Sequence, residues 1–257
     1  MFAFDKRPAE PLVFYLEAYL SEPAWAHAVH VVPLLAWLSK AWADGRGPWP
    51  PRNLPGGALK HLQWCLRGWS AFRGAGGLEE KIAAFEHHLP RFIDDLTGVL
   101  TGAGKYRLAK FDEGDLEGLG DACDGLFPAF SARVKGNARV VLPSKTAHLL
   151  FPSVIPAYDR AVVREEVLDS LMPGRMRGRL LYRTYLRASW WILGQLEAES
   201  SLGRAGRRTL ESLRGDWVIE VLEPSFPSET ALPLLDTFVS EYTLIGLARS
   251  GVRLVLA

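Results

Sequence analysis

Apolar residues return every three or four positions along most of this chain, and that spacing constrains the fold more than any other feature. Ile82, Phe85, Leu89, Phe92, Leu96 and Leu100 form one stripe, and Ala58, Leu62, Cys65, Trp69 and Phe72 form another. Each lies on one face of a helix. Leu232, Leu235, Val239, Tyr242 and Gly246 give a third stripe, and the segments 161–172 and 176–196 read as two further helices. Helices striped in this way must bury their apolar faces against one another, so the expected fold is mainly α. Three segments predict strands instead: 105–111, 216–223 and 251–257, the last two rich in β-branched residues. A small sheet beside the helices is therefore expected. The glycine and proline clusters at 44–57, 73–77 and 223–229, and the glycine spacing within 114–125, read as breaks between elements.

The 257 residues, 48% of them hydrophobic, suffice for one large unit spanning 1–257, or for two closely joined lobes. Cys65 and Cys123 are too few for a disulfide framework and have no zinc-knuckle neighbours, which points to a reducing cytoplasm. Neither a secretory leader nor a membrane span is expected, since no apolar run approaches roughly 18 residues. The formal charge of +1 argues against a general polyanion binder, leaving local basic surface as the route to a nucleic acid. Seven of the nine tryptophans (Trp25, Trp37, Trp42, Trp64, Trp69, Trp190 and Trp191) fall in or beside helical patterns, where large aromatics fill core. The six histidines form no HExxH and join no cysteine at zinc spacing, so neither a metal nor a cofactor is expected. Hydrolase-triad and nucleotide-loop motifs are also missing.

The segment from Leu142 to Arg164, LPSKTAHLLFPSVIPAYDRAVVR, concentrates the chemistry. Ser144 is placed to cap a short helix with Lys145 in its first turn, Pro152 and Pro156 force a turn, and Asp159 is placed to open the next helix. One lysine and one carboxylate then face the same turn. LP followed by KTA, a proline turn, and an aspartate opening a helix with Val162 and Val163 resembles the catalytic segment of helix-hairpin-helix DNA glycosylases, over about a tenth of the chain. That resemblance implies a helical, two-lobed assembly of the glycosylase type, with the motif region at 133–172. It implies Lys145 as the nucleophile at the sugar C1′ of an extruded nucleotide, and Asp159 as the carboxylate that stabilises positive charge on the sugar. Double-stranded DNA with an extruded base would be the partner, the reaction cleavage of the N-glycosidic bond, and a Schiff-base lyase step an extension of it. The hairpin glycines that hold a DNA phosphate in the family are missing, the lysine-to-aspartate spacing is roughly four residues shorter, and Ala161 stands where the family often carries histidine.

The residue types fit this chemistry. Breaking a glycosidic bond builds oxocarbenium character, which a carboxylate beside C1′ stabilises. An amine nucleophile must shed its proton, and His148 and Arg160 are placed to offset the carboxylate. Arg175, Arg179, Arg183 and Arg187 recur at four-residue intervals on one expected helix, and Arg133, Lys135 and Arg139 form a basic run before the motif. With Ser144, His148 and Arg160 these are the candidate DNA contacts. Two alternatives stand beside the enzyme reading. Lys145 and Asp159 read equally as a structural ion pair tying two helices, with the arginine row a solvated helix face. The chain would then be a non-catalytic helical protein that binds nucleic acid or serves repair or defence on a glycosylase-like frame.

Overall fold

Each amphipathic stripe becomes a helix, and the helices surround one that is buried on nearly every side. The computed structural model describes residues 2–20, 28–41, 50–72, 77–135, 140–171, 180–222 and 232–256. Within them the order is β1 (Phe2–Phe4), α1 (Leu12–Leu20), α2 (Ala28–Ala41), α3 (Gly56–Gly68), α4 (Leu78–Ala103), a 3₁₀ turn at Leu108–Lys110, α5 (Glu113–Arg133) and α6 (Val141–Leu150). There follow α7, wound as a π-helix over Arg160–Leu168 and finished by an α turn at Asp169–Leu171, then α8 (Leu180–Ala198), α9 (Leu202–Leu222), a 3₁₀ turn at Leu232–Leu235, α10 (Asp236–Arg249) and β2 (Leu254–Leu256). The fold is mainly α.

The stripe on α4 does what its spacing predicts. Phe85, Leu89, Phe92, Leu96 and Leu100 are buried, and Phe92 stacks on Phe130 of α5 with ring centroids 4.2 Å apart. α5 begins at a capping box in which Asp112 and Asp115 each accept the other's backbone N–H. This cap, together with packing of Leu116, Leu119, Cys123 and Phe127, carries the helix straight through the glycines at 114–125. The expected break there does not exist. Gly120 has a positive role, since a Cβ on it would meet the Arg183 side chain at 3.3 Å, so its bare backbone lets that arginine lie across α5.

Of the expected strands, only the last forms. Leu254–Leu256 pairs antiparallel with Phe2–Phe4, in the register Phe2 to Leu256, and Phe4 meets Trp191 of α8 edge-on at 4.9 Å. Residues 105–111 make a loop and a 3₁₀ turn, because the Leu108 N–H bonds to the Ser153 carbonyl and not to a strand. Residues 216–222 continue α9 as helix; with no strand beside them among the described residues, β-branched composition yields to helix propagation. Trp191 is the tryptophan that is fully buried among the described residues. Trp37, Trp69 and Trp190 pack at the core's edge, Trp64 is exposed, and Trp25 and Trp42 lie outside the described residues.

α10 is the centre of the assembly. Residues from Asp236 to Ala248 are buried apart from Glu241, which is partly so, and the helix packs against α1, α7, α8 and α9. Its closest approach is at Gly246, where a Cβ would lie 2.0 Å from the Tyr15 carbonyl oxygen of α1. No rotamer change relieves a backbone clash, so Gly246→Ala is expected to destabilise the protein by about 3 kcal/mol or to prevent folding. Gly118→Ala, on the open face of α5 with nothing within 4 Å of the added methyl, is expected to stabilise it by roughly 0.5–1 kcal/mol. Urea unfolding of the two variants at one pH checks both signs.

Candidate functional site

Lys145 and Asp159 meet. Lys145 Nζ donates to Asp159 Oδ2 at 2.5 Å and to the Trp69 carbonyl oxygen at 2.8 Å, joining α6 to the head of α7 and to the residue after α3. Lys145 is only 5% exposed, whereas the Asp159 side chain keeps 30% of its surface, so the carboxylate forms the accessible side of the pair.

The local sequence explains how the two are presented. α6 starts at Val141, one turn earlier than the capping pattern predicts, because Pro143 is tolerated within the first turn, where no helical partner waits for its missing N–H. Ser144 therefore does not cap α6. It is wholly buried, donates to the Val141 carbonyl at 3.1 Å and accepts the Tyr158 N–H at 3.1 Å, fixing the chain just before Asp159. His148 locks the other side of the turn. Its Nδ1–H lies 3.0 Å from both the Ile155 carbonyl and Thr237 Oγ1, while the Thr237 hydroxyl donates to the Pro152 carbonyl. Asp159 then opens α7 through its backbone: its carbonyl accepts from Val163 at 2.9 Å and from Arg164 at 3.2 Å, the second a five-residue π step. Its side chain is left to hold Lys145.

A third ionisable group belongs to this site and does not stand out in the motif. Glu241 lies on α10 one turn beyond Thr237 and Phe238, the residues that touch His148; the Phe238 and His148 rings are 4.2 Å apart. The charges of Lys145 and Asp159 both act on the Glu241 carboxyl. Although part of the residue is open to solvent, its carboxyl end is enclosed, and burial raises its pKa to about 8. Lys145 opposes that rise and Asp159 reinforces it. His148 moves the other way: burial lowers its pKa to about 4, so it is neutral and serves the turn. The sequence signal for Glu241 was available as a lone acid inside FVSEYTLIG, with apolar residues on either side.

The candidate DNA contacts divide. Ser144 and His148 are buried in the turn and offer no surface to a nucleic acid. Arg133, at the end of α5, and Arg187, on α8, are exposed. Lys135 is exposed, has a φ of 56°, and is ion-paired with Glu80. Arg183 is held by Asp121 at 2.5 Å and Asp124 at 2.6 Å, so it braces α8 on α5 and is not an open phosphate ligand. Arg139, Arg175 and Arg179 lie outside the described residues, as does the side chain of Arg160. The four-arginine row thus has only Arg183 and Arg187 on the described part of α8. A separate pocket of about 400 Å³ lies between Arg107, Glu197, Leu202, Gly206 and Val239, where Arg107 makes a two-point contact with buried Asp236 at 2.6 and 3.0 Å. Among the described residues no helix is long and apolar enough to cross a membrane.

The raised Glu241 pKa has a definite consequence for stability. The folded protein holds this proton up to about pH 8, and the unfolded chain loses it near the ordinary glutamate value of 4.5. The folded state thus binds more protons between these values, and the stability this contributes is full below pH 4.5 and lost as pH rises through 8. Glu241→Gln is expected to remove this slope and to be more stable than the parent at pH 8.5, by an amount on the order of a few kcal/mol. Urea unfolding at half-unit steps from pH 5 to 9 measures it.

Comparison of the chain with protein-family models, with curated proteins and with solved structures finds no match, so the chemistry of the site rests on its own residues.

Proposed function

We propose that this chain is a DNA glycosylase that extrudes a modified or damaged base and cleaves its N-glycosidic bond, with Lys145 as nucleophile and Asp159 as the carboxylate that stabilises the sugar's developing charge. The observation that carries this reading is the 2.5 Å contact between Lys145 Nζ and Asp159 Oδ2, made across a locked proline turn with the carboxylate on the accessible side. An amine and a carboxylate so placed provide the two functions the reaction needs: a group to add at C1′ and a fixed negative charge beside it. The π-helical winding that begins immediately after Asp159 adds support, because such winding is rare and concentrates at functional sites. With the hairpin glycines missing, the hold on DNA falls to exposed basic groups such as Arg133 and Arg187.

One observation favours a second reading. Lys145 is almost fully enclosed, and two of its donors are already taken by protein acceptors, as a structural ion pair requires. In that case the chain is a non-catalytic helical protein of nucleic-acid binding, repair or defence. Borohydride trapping on duplexes carrying a panel of modified bases separates the two. The enzyme reading expects a covalent adduct with at least one duplex, abolished in Lys145→Ala, and base release slowed about 100-fold in Asp159→Asn. The structural reading expects no adduct and no abasic product from any duplex, with both variants less stable by about 3–5 kcal/mol.

A further inference from the structure

We propose that the pocket beside Arg107 binds a small organic monocarboxylate with a branched apolar body, at a site separate from Lys145 and Asp159 and independent of the glycosylase reading. The cavity of about 400 Å³ has room for such a molecule, and none of its lining residues belongs to the lysine and aspartate turn. Arg107 is the recognition group. Its Nε and Nη2 donate to the two oxygens of Asp236 at 3.0 and 2.6 Å, and that carboxylate is only 2% exposed, so the guanidinium is fixed in plane and direction from behind. Asp236 takes up one edge only. Arg107 keeps 30% of its side-chain surface, and the N–H groups of Nη1 and the outer side of Nη2 have no acceptor among the described residues. That outer edge offers parallel N–H groups, the geometry a carboxylate accepts through both of its oxygens. A guanidinium already held in place gives up little freedom on binding.

The remaining walls narrow the ligand. Leu202, Leu232 and Val239 supply apolar surface, which suits a hydrocarbon body and gives an inorganic anion nothing to pack on. Glu197 lines the pocket as well, paired with Lys110, and its charge reaches Arg107. A second negative charge on the ligand would meet this carboxylate, so the site selects a monoanion. Gly203 leaves the α9 wall without a side chain, and it stands in the first turn, where a backbone N–H has no partner within the helix. Ser200, just past α8, has a φ of 56°, a conformation that favours glycine, so this wall keeps a serine at a conformational cost.

Calorimetric titration of the full chain with isocaproate, its neutral amide and inorganic phosphate tests the assignment. The expected result is saturable binding of isocaproate at sub-millimolar concentration, with the amide and phosphate each weaker by at least about tenfold, since one has the body without the charge and the other the charge without the body. Gly203→Leu is expected to abolish that binding without lowering the urea midpoint, because a Cβ there has nothing within 4 Å and leucine favours helix over glycine. Arg107→Lys keeps a charge for Asp236 but loses the flat edge, and is expected to weaken binding about tenfold. No saturable binding of isocaproate, equal binding of its amide or of phosphate, or wild-type binding in both variants overturns the proposal. Should Arg107→Lys not fold, Gly203→Leu carries the test, and wild-type binding in it overturns the assignment. Borohydride trapping at Lys145 is read in a separate experiment, so the two proposals stand or fall independently.

Discussion

A lysine ammonium enclosed by protein must find acceptors, and in this molecule that requirement governs the arrangement around α6. Lys145 draws on the Trp69 carbonyl and the Asp159 carboxylate, so one side chain ties the end of α3, the middle of α6 and the start of α7. Ser144 and His148 hold the intervening turn through buried hydrogen bonds to Tyr158, Ile155 and Thr237. Breaking a buried pair by deleting one partner costs about 3–5 kcal/mol, because the survivor keeps its charge and loses its compensation. Such a site is rigid by construction, and rigidity serves a structural tie and a preorganised reaction centre alike.

A third ionisable group is coupled electrostatically to the pair. A tie needs one carboxylate for one lysine, and Asp159 already provides it. Glu241 adds a second acid on the buried helix α10, at an energetic disadvantage to its charged form. The same helix encloses Asp236, Thr237, Ser240 and Thr243 among Phe238, Val239, Leu244, Ile245 and Leu247, so Glu241 is one of several polar groups that it takes out of water.

Much of the site was legible in the residues and much was not, for identifiable reasons. The pairing of Lys145 with Asp159 could be read from two helix segments and the prolines between them, since a short turn leaves few ways to place its ends. The start of α6 was misjudged because Ser144 has the composition of a cap, yet its hydroxyl found a better acceptor and donor within the folded turn. Arg183 looked like a phosphate ligand until α5 supplied Asp121 and Asp124, residues about sixty positions away in sequence. The expected strand at 105–111 failed for the same reason: its backbone partner, Ser153, is a tertiary neighbour that no local pattern announces.

The sequence by itself determined the class of fold and the chemistry of the motif. Apolar spacing is a local property that dictates helices with buried faces, and lysine, serine, proline and aspartate in that order dictate a charged turn. Tertiary structure alone decided which charges are available. It buried His148 as a neutral strut, spent Arg183 on two carboxylates, left Asp159 partly open, and raised the pKa of Glu241. The physical reason is that desolvation and pairing depend on what surrounds a group in space, and for each of these residues the decisive neighbour belongs to another helix or lies across the turn.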